Sequence, residues 1–121
     1  MKNAINGEGH EVMCELIKKA QEDVNVKVIL IHGGKFFNSG NDISALAAMG
    51  GEGKDKMRAA AEKGVTTQMA DNLRAMRESK KPIVAVCRGG AMGIGFTLLS
   101  FADFIYADET AWWMTPFMAS C

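Results

Sequence analysis

Two apolar runs, each followed by a glycine-bearing segment, constrain the fold of this chain most strongly. The first run covers residues 26–32 and the second residues 83–87, and Lys27 is the single charged side chain in them. Strands that are apolar on both faces are typical of parallel sheets covered on both sides. The predicted order is strand, helix, strand, helix, strand, which indicates an α/β fold with right-handed crossovers.

The periodicity of the remaining segments predicts the elements around these strands. Asn6 is a suitable N-cap for a first helix, with Glu8 in its first turn. The apolar face of that helix would contain Val12, Met13, Leu16, Ile17 and Ala20. Helical patterns also cover residues 42–49, 54–79 and 93–101, and strand patterns cover residues 104–107 and 111–114.

Composition excludes several classes of function. The chain has 121 residues, enough for one domain or part of one, and its 14 basic and 14 acidic side chains balance. This balance predicts no binding to nucleic acid or to an anionic membrane surface. No apolar run reaches the roughly 18 residues of a membrane span. Three cysteines argue against a disulfide framework, so we expect reduced thiols in an intracellular compartment, with Cys87 buried in a strand.

Two glycine segments carry the strongest functional signal. Ser39-Gly40-Asn41-Asp42 forms the first glycine segment, and residues 89–95 form the second. Each lies between a predicted strand and a predicted helix, so free backbone N–H groups of both could point at one oxygen atom. An oxyanion hole can be built in this way from main chain alone. The alternative is that the glycines merely allow helices to pack closely on the sheet, and the residues alone leave both interpretations open.

A dinucleotide site is the main competing interpretation of the second glycine segment. A strand, a glycine-rich turn, a helix and a second strand ending at Asp108 have the order of such a site. Gly90, Gly93 and Gly95 give the pattern G-x-x-G-x-G, however, which reverses the required G-x-G-x-x-G. Nucleotide binding is therefore the weaker alternative. A P-loop is excluded, because no Gly-Lys-Ser/Thr follows any glycine run.

The spacing of nucleophiles and metal ligands gives little support to side-chain chemistry. Ser39 lacks the flanking glycines of a nucleophile elbow. The chain has two histidines, His10 near a helix start and His32 at a strand end, and we interpret either as a plain surface or loop residue. There is no His-x-x-x-His, no cysteine pair and no close acidic cluster, so we predict no metal site.

The sequence resembles the enoyl-CoA hydratase/isomerase (crotonase) superfamily along nearly its whole length. The matching residues are Lys2-Asn3-Ala4-Ile5-Asn6, Phe37-Asn38-Ser39-Gly40-Asn41-Asp42-Ile43, Lys81-Pro82-Ile83-Val84-Ala85-Val86, Gly89, Gly93-Ile94-Gly95 and Ala102-Asp103-Phe104-Ile105-Tyr106-Ala107. The first glycine segment and Thr115-Pro116-Phe117 look most like peroxisomal-type Δ3,Δ2-enoyl-CoA isomerases. The resemblance implies a crotonase-like spiral of ββα units, truncated at both ends, with residues 1–121 forming a partial acyl-CoA-binding domain.

The resemblance also implies the residues of the site. Its oxyanion hole falls on the backbone N–H groups of Asn41 and Ile94, which would hold the thioester oxygen. The expected substrate-binding neighbours are Ser39, Gly40, Asp42, Ile43, Gly93 and Gly95. No separate cofactor is implied, because coenzyme A is part of the substrate. Members of the family usually form trimers or dimers of trimers, so we expect a homo-oligomer, located in the peroxisome or the mitochondrion.

Departures from the family pattern favour isomerisation over hydration. The two glutamates of the hydratases fall on Thr97 and Phe117, neither of which can exchange a proton at neutral pH. The glutamate of the peroxisomal-type isomerases falls beyond Cys121, so we expect the general base to be missing from this chain. The alternative from another class is a non-catalytic remnant that binds acyl-CoA or pairs with full-length subunits. We also expect exposed apolar surface and self-association.

Overall fold

The structure, a computed structural model, describes residues 3–42, 55 and 67–116. Three helices within these ranges are α1 (Gly7–Glu22), α2 (Gln68–Arg77) and α3 (Ile94–Leu99). The strands are β1 (Ile29–His32), β2 (Ile83–Cys87), β3 (Gly90–Met92), β4 (Phe104–Ala107) and β5 (Trp112–Met114). Residues 43–49 of the helix predicted at 42–49 lie outside the described residues. So do residues 54 and 56–66 of the helix predicted at 54–79, of which α2 confirms the later part.

Two parallel sheets form the framework. The first has the order β1-β2-β4, with Ile29 opposite Ile83 and Ala85 opposite Ile105. The second pairs β3 with β5. The predicted parallel α/β fold is thus confirmed, and β2, β3 and α3 follow one another as one ββα unit. The sequence did not predict strand β3, which lies inside the second glycine segment, because three residues are too few to show the alternating pattern of a strand.

Helix α1 begins where the sequence predicts. The Asn6 side-chain oxygen accepts a hydrogen bond from the N–H of Gly9 at 2.8 Å, which confirms Asn6 as the N-cap. Its buried residues are His10, Cys14 and Ile17. The predicted apolar face was wrong in part, because Val12 is 49% and Leu16 59% exposed. The buried stripe is rotated toward His10, a polar residue that the hydrophobic pattern leaves out.

Two buried clusters make up the core of the described residues. One joins α1, α2, β2 and α3 through Cys14, Ile17, Ala75, Met76, Ile83 and Leu98. The other joins β2, β3 and α3 and contains Phe37, Ala85, Cys87, Ala91 and Leu99. Adjacent residues Leu98 and Leu99 belong to different clusters, so α3 ties the two sheets together. Cys14 and Cys87 are buried free thiols, which confirms the expected burial of Cys87.

The expectation of strands covered on both faces, made for residues 26–32 and 83–87, was wrong for β1. Leu30 is 59% and Phe104 57% exposed, and both pair with Val84, so they lie on one face of the sheet. The core clusters contain only the opposite face of β2, which carries Ile83 and Ala85. The described helices pack on that opposite face and leave an apolar sheet surface uncovered by the described residues.

Candidate functional site

The first glycine segment is shaped by the residue that precedes it. The side-chain oxygen of Asn38 accepts a hydrogen bond from the N–H of Gly40 at 2.8 Å. Gly40 has a φ of 97°, a conformation that residues with a Cβ atom rarely adopt. The Nδ2 group of Asn3 donates to the carbonyl of Phe37 at 2.6 Å and holds the chain just upstream. The local sequence therefore specifies the turn by one asparagine and one glycine.

Backbone hydrogen bonds place the first glycine segment beside β3. Asn38 donates its N–H to the carbonyl of Gly90 at 3.2 Å and accepts from the N–H of Met92 at 2.9 Å. Asn38 and Ala91 thus form a parallel bridge. On the other side, Ile5 forms a parallel bridge with Asn41. The first glycine segment therefore lies between the N-terminal segment and β3.

The two predicted donors follow two segments that are joined by a single bridge. Asn38 opposes Ala91, and Asn41 and Ile94 each come three residues later along the chain, directly after Gly40 and Gly93, whose φ angles are 97° and 52°. A Cβ atom on Gly40 would lie 3.2 Å from the carbonyl oxygen of Met92, which shows that the two segments remain in contact beyond the bridge. The predicted oxyanion donors therefore follow matching positions of two neighbouring segments.

The backbone N–H of Asn41 points away from the N-terminal segment. Ile5 donates to the carbonyl of Gly40 at 3.0 Å and accepts from the N–H of Asp42 at 2.8 Å. In a parallel bridge these flanking groups face the partner, and the groups of Asn41 itself point away from Ile5. Within residues 3–42, 55 and 67–116, neither the Asn41 N–H nor the Ile94 N–H donates a hydrogen bond.

The start of α3 shapes the second glycine segment. Gly93 has a φ of 52°, and its N–H donates to the carbonyl of Met114 at 2.9 Å. No atom lies within 4 Å of the position that a Cβ on Gly93 would take, so its surface is open. Ile94 is the first residue of α3, where backbone N–H groups have no partner within the helix. Such a position is suited to an anionic oxygen.

Gly95 allows α3 to approach the first glycine segment closely. A Cβ atom at this position would lie 2.5 Å from the backbone oxygen and 2.7 Å from the side-chain oxygen of Asn38. The close-packing interpretation of the glycines therefore holds for Gly95. It does not compete with the functional interpretation, because the packing is what brings the two segments together.

Of the other residues considered for the site, Ser39, Asp42 and Thr97 are among the described residues. Ser39 is half-buried, and Asp42 bonds to Ile5 through its backbone N–H. Thr97, at a hydratase glutamate position, donates its hydroxyl to the carbonyl of Gly93 at 3.2 Å. Ile43 and Phe117 lie outside the described residues.

The interpretation of His10 as a surface or loop residue was wrong. His10 is 2% exposed, and its Nε2 lies 2.9 Å from the side-chain oxygen of Asn41. Its Nδ1 lies 3.1 Å from Nδ2 of Asn72, which is fully buried. The sequence contained one signal of this burial, because His10, Cys14 and Ile17 are spaced to lie on one face of a helix. His32, by contrast, is exposed at the end of β1, as interpreted.

Asp108 has a structural environment rather than that of a ribose-binding carboxylate. Its side chain accepts hydrogen bonds from the hydroxyl of Thr110 at 2.6 Å and from Nε of Arg88 at 2.8 Å. The Thr110 hydroxyl and then Arg88 lower the pKa of Asp108. Its oxygens are thus engaged in closing the turn after β4. Burial raises the pKa of the Cys87 thiol, which makes this cysteine a poor nucleophile.

A cavity of about 290 Å³ lies between the N-terminal segment, α1 and β1. Its lining residues are Asn3, Ala4, Ile5, Asn6, Gly9, Met13, Ile31, His32, Phe37, Asn38 and Leu98. Neither Asn41 nor Ile94 lines it, so we assign it no part in the candidate site. In the described part of the chain, no three His, Cys, Asp or Glu side chains group as metal ligands do. No described helix is long and apolar enough to cross a membrane.

Comparison with known proteins identifies the family. The family model described as enoyl-CoA hydratase/isomerase matches residues 1–120. This chain belongs to the enoyl-CoA hydratase/isomerase family. Over 116 residues it is 33% identical to enoyl-CoA delta isomerase 2 of Rattus norvegicus and 30% identical to peroxisomal enoyl-CoA delta isomerase 3 of Mus musculus. Both alignments cover 96% of this chain.

A solved structure shows the same crotonase-type fold. The crystal structure of an enoyl-CoA hydratase/isomerase from Pseudoalteromonas atlantica superposes with a TM-score of 0.73 at 26% identity. The superposition covers 93% of this chain and 40% of the solved chain. The chain spans 28% of the rat isomerase and 35% of the mouse isomerase, so it corresponds to about a third of these family members.

Proposed function

We propose that this chain binds acyl-CoA thioesters and holds the thioester oxygen with the backbone N–H groups of Asn41 and Ile94. The observation that supports the proposal is the parallel bridge of Asn38 with Ala91, after which Asn41 and Ile94 each follow three residues later along the chain. Neither N–H donates to an acceptor among the described residues, which supports the proposal. As substrate-binding residues we propose Ser39, Gly40, Asp42, Ile43, Gly93 and Gly95.

The chemistry of a double-bond shift explains this arrangement. When a proton leaves the carbon next to a thioester carbonyl, negative charge develops on the carbonyl oxygen. Two preorganised donors stabilise that enolate, and losing one such donor costs about 3–4 kcal/mol in the transition state. The open surface at Gly93 leaves room for the thioester to approach the N–H of Ile94. A separate cofactor is not needed, because coenzyme A is part of the substrate.

The reaction class we propose is isomerisation of an enoyl-CoA rather than hydration. Addition of water by the two-carboxylate route needs an acid and a base, and Thr97 at one of those positions bonds to the Gly93 carbonyl. The relatives from rat and mouse are named as enoyl-CoA delta isomerases. We propose that the general base of such a reaction is not supplied by this chain. A positioned base contributes about 10²–10⁴-fold, so turnover by this chain should be slow.

A non-catalytic role in acyl-CoA binding or subunit pairing is the second candidate. It is favoured by the uncovered apolar face of the first sheet and by Trp112 and Trp113, which are 42% and 51% exposed. A homo-oligomer, trimer or hexamer, would cover such surfaces. Light scattering of the purified chain tests whether it forms a homo-oligomer, and a monodisperse monomer contradicts that expectation. We propose a peroxisomal or mitochondrial location, of which the name of the mouse relative supports the peroxisomal one.

Calorimetric titration with acetoacetyl-CoA and with free coenzyme A tests the main proposal. Tighter binding of the thioester than of coenzyme A is the expected result, because only the thioester presents an oxygen to the two N–H groups. Equal binding of both ligands would refute the oxyanion site while leaving a coenzyme A site. Absence of binding to a folded sample would refute acyl-CoA binding altogether.

A matched pair of variants at Ile94 isolates the second donor. Ile94→Pro removes the N–H at the first position of α3, where proline is tolerated in helices. Ile94→Ala shortens the side chain and keeps the N–H. We expect the preference for acetoacetyl-CoA over coenzyme A to fall by about 2- to 12-fold in Ile94→Pro relative to Ile94→Ala, the value of a hydrogen bond to an uncharged oxygen. Equal preference in the two variants would remove Ile94 from the site.

A further inference from the structure

A buried polar chain links two helices to the first glycine segment. His10 of α1 and Asn72 of α2 are 2% and 0% exposed. The imidazole contacts Asn41 through Nε2 at 2.9 Å and Asn72 through Nδ1 at 3.1 Å. Asn41 therefore connects on its side-chain face to a residue pair that the proposed chemistry does not use.

The partners define the hydrogen-bond direction along this chain. The contacting atom of Asn41 is its side-chain oxygen, which can only accept, so His10 must donate from Nε2. A neutral imidazole with hydrogen on Nε2 then accepts at Nδ1, where the contacting atom is the Nδ2 group of Asn72. The assignment is self-consistent, and the remaining Nδ2 group of Asn41 contacts the sulfur of Met69 at 3.4 Å.

Packing of α1 on α2 does not by itself account for these residues. The side-chain oxygen of Asn72 is buried and has no partner among the described residues. A buried acceptor without a partner is unfavourable, and apolar residues of similar size would fill the same space without that penalty. Besides two sulfur contacts, from Asn72 Nδ2 to Met13 at 3.5 Å and from Asn41 Nδ2 to Met69 at 3.4 Å, the polar chain ends on the side-chain oxygen of Asn41. Its effect is therefore on Asn41.

We propose that His10 is a positioning residue that orients the backbone N–H of Asn41 toward the substrate oxygen; this rests on the proposed function. Gly40, directly before Asn41, has a φ of 97° and no side chain to restrict rotation. The bridge to Ile5 holds one side of Asn41, and the hydrogen bond from His10 fixes the direction of its side chain. With both fixed, the peptide plane between Gly40 and Asn41 has one orientation, and Asn72 keeps the imidazole in place.

Three variants of the 121-residue chain test this role. His10→Leu removes the donor, His10→Gln returns an N–H group close to the Nε2 position, and Asn41→Ala removes the acceptor while keeping the backbone N–H. Circular dichroism establishes that each variant is folded. Asn41 is an exposed residue, so its variant tests the proposal even where His10→Leu does not fold.

Two readouts separate positioning from a merely structural role. The first is the affinity ratio of acetoacetyl-CoA to coenzyme A. We expect the ratio to fall about threefold to tenfold in His10→Leu and Asn41→Ala, the size typical of residues without ligand contact, and to recover in His10→Gln. The second is the ¹⁵N order parameter of the Asn41 amide in the free chain, which should fall in the first two variants and recover in the third.

The outcomes distinguish this inference from the proposed function. A wild-type chain that prefers the thioester, together with unchanged preference and an unchanged Asn41 amide in folded His10→Leu or Asn41→Ala, overturns the positioning role alone. A wild-type chain without thioester preference overturns the oxyanion site and the positioning role with it. Loss of the thioester preference in Asn41→Ala and His10→Leu, together with its recovery in His10→Gln, supports both the oxyanion site and the positioning role.

Discussion

Replacing Gly95 by alanine is the most direct test of the contact that joins the two glycine segments. The new Cβ atom would lie 2.5 Å from the backbone oxygen and 2.7 Å from the side-chain oxygen of Asn38, whereas ordinary contact begins at 3.4 Å. Relief of the shorter contact requires Asn38 or α3 to move by about 0.9 Å, the difference between 3.4 and 2.5 Å. Both oxygens are hydrogen-bond acceptors, one for Met92 at 2.9 Å and one for Gly40 at 2.8 Å.

The magnitude follows from three terms. Overpacking of a core position costs about 1–3 kcal/mol. A movement of this size also breaks or weakens two hydrogen bonds worth about 1 kcal/mol each. Alanine in place of glycine in a helix returns about 1 kcal/mol. We therefore expect Gly95→Ala to lower the free energy of unfolding by about 2–4 kcal/mol, a large part of the 5–15 kcal/mol typical of a domain.

Urea unfolding followed by circular dichroism measures this change, with Gly7→Ala as the matched control. Gly7 begins α1, and a Cβ atom there would meet nothing closer than the Gln68 side chain at 3.7 Å. The same chemical change should therefore stabilise the chain by up to about 1 kcal/mol. With a slope of about 2 kcal/mol per molar urea, the Gly95→Ala midpoint should fall by about 1–2 M. A midpoint equal to that of Gly7→Ala would refute the contact between α3 and Asn38.

Two further predictions concern the frame around the site. The Thr110 hydroxyl and Arg88 lower the pKa of Asp108, so its contribution to stability is present above the unfolded pKa of about 3.9 and is lost as pH falls through the lower folded value. The stability difference between wild type and Asp108→Asn should therefore shrink between pH 5 and pH 2 in urea unfolding, and a constant difference would contradict the assignment. Lys81 donates through Nζ to the carbonyls of Ala20 and Asp23, both at 2.6 Å, at the end of α1. Lys81→Met should cost about 1–2 kcal/mol in the same assay, whereas Lys80→Met should cost little; equal effects would argue against the cap.

The sequence was most informative where the physical signal is local. The N-cap at Asn6 depends on a side chain three residues from its partner, and the apolar runs depend on a short period, so both could be read directly. Strand β3 could not be predicted in this way, because its pairing with β5 is set by residues about twenty positions away. The burial of His10 was also missed, since its partners lie on α2 and on the first glycine segment.

The geometry of the candidate site depends on three chain segments, of which the glycine patterns reveal two. The third is the N-terminal segment, whose Ile5 bonds on both sides of Asn41 and so turns the Asn41 N–H away from itself. Without that pairing, the φ of 97° at Gly40 would leave the peptide free to take other orientations. His10 and Ile5 hold Asn41 from its side chain and its backbone, and both come from the first ten residues of the chain. The orientation of a donor at position 41 is therefore determined largely by a segment that contains no functional motif of its own.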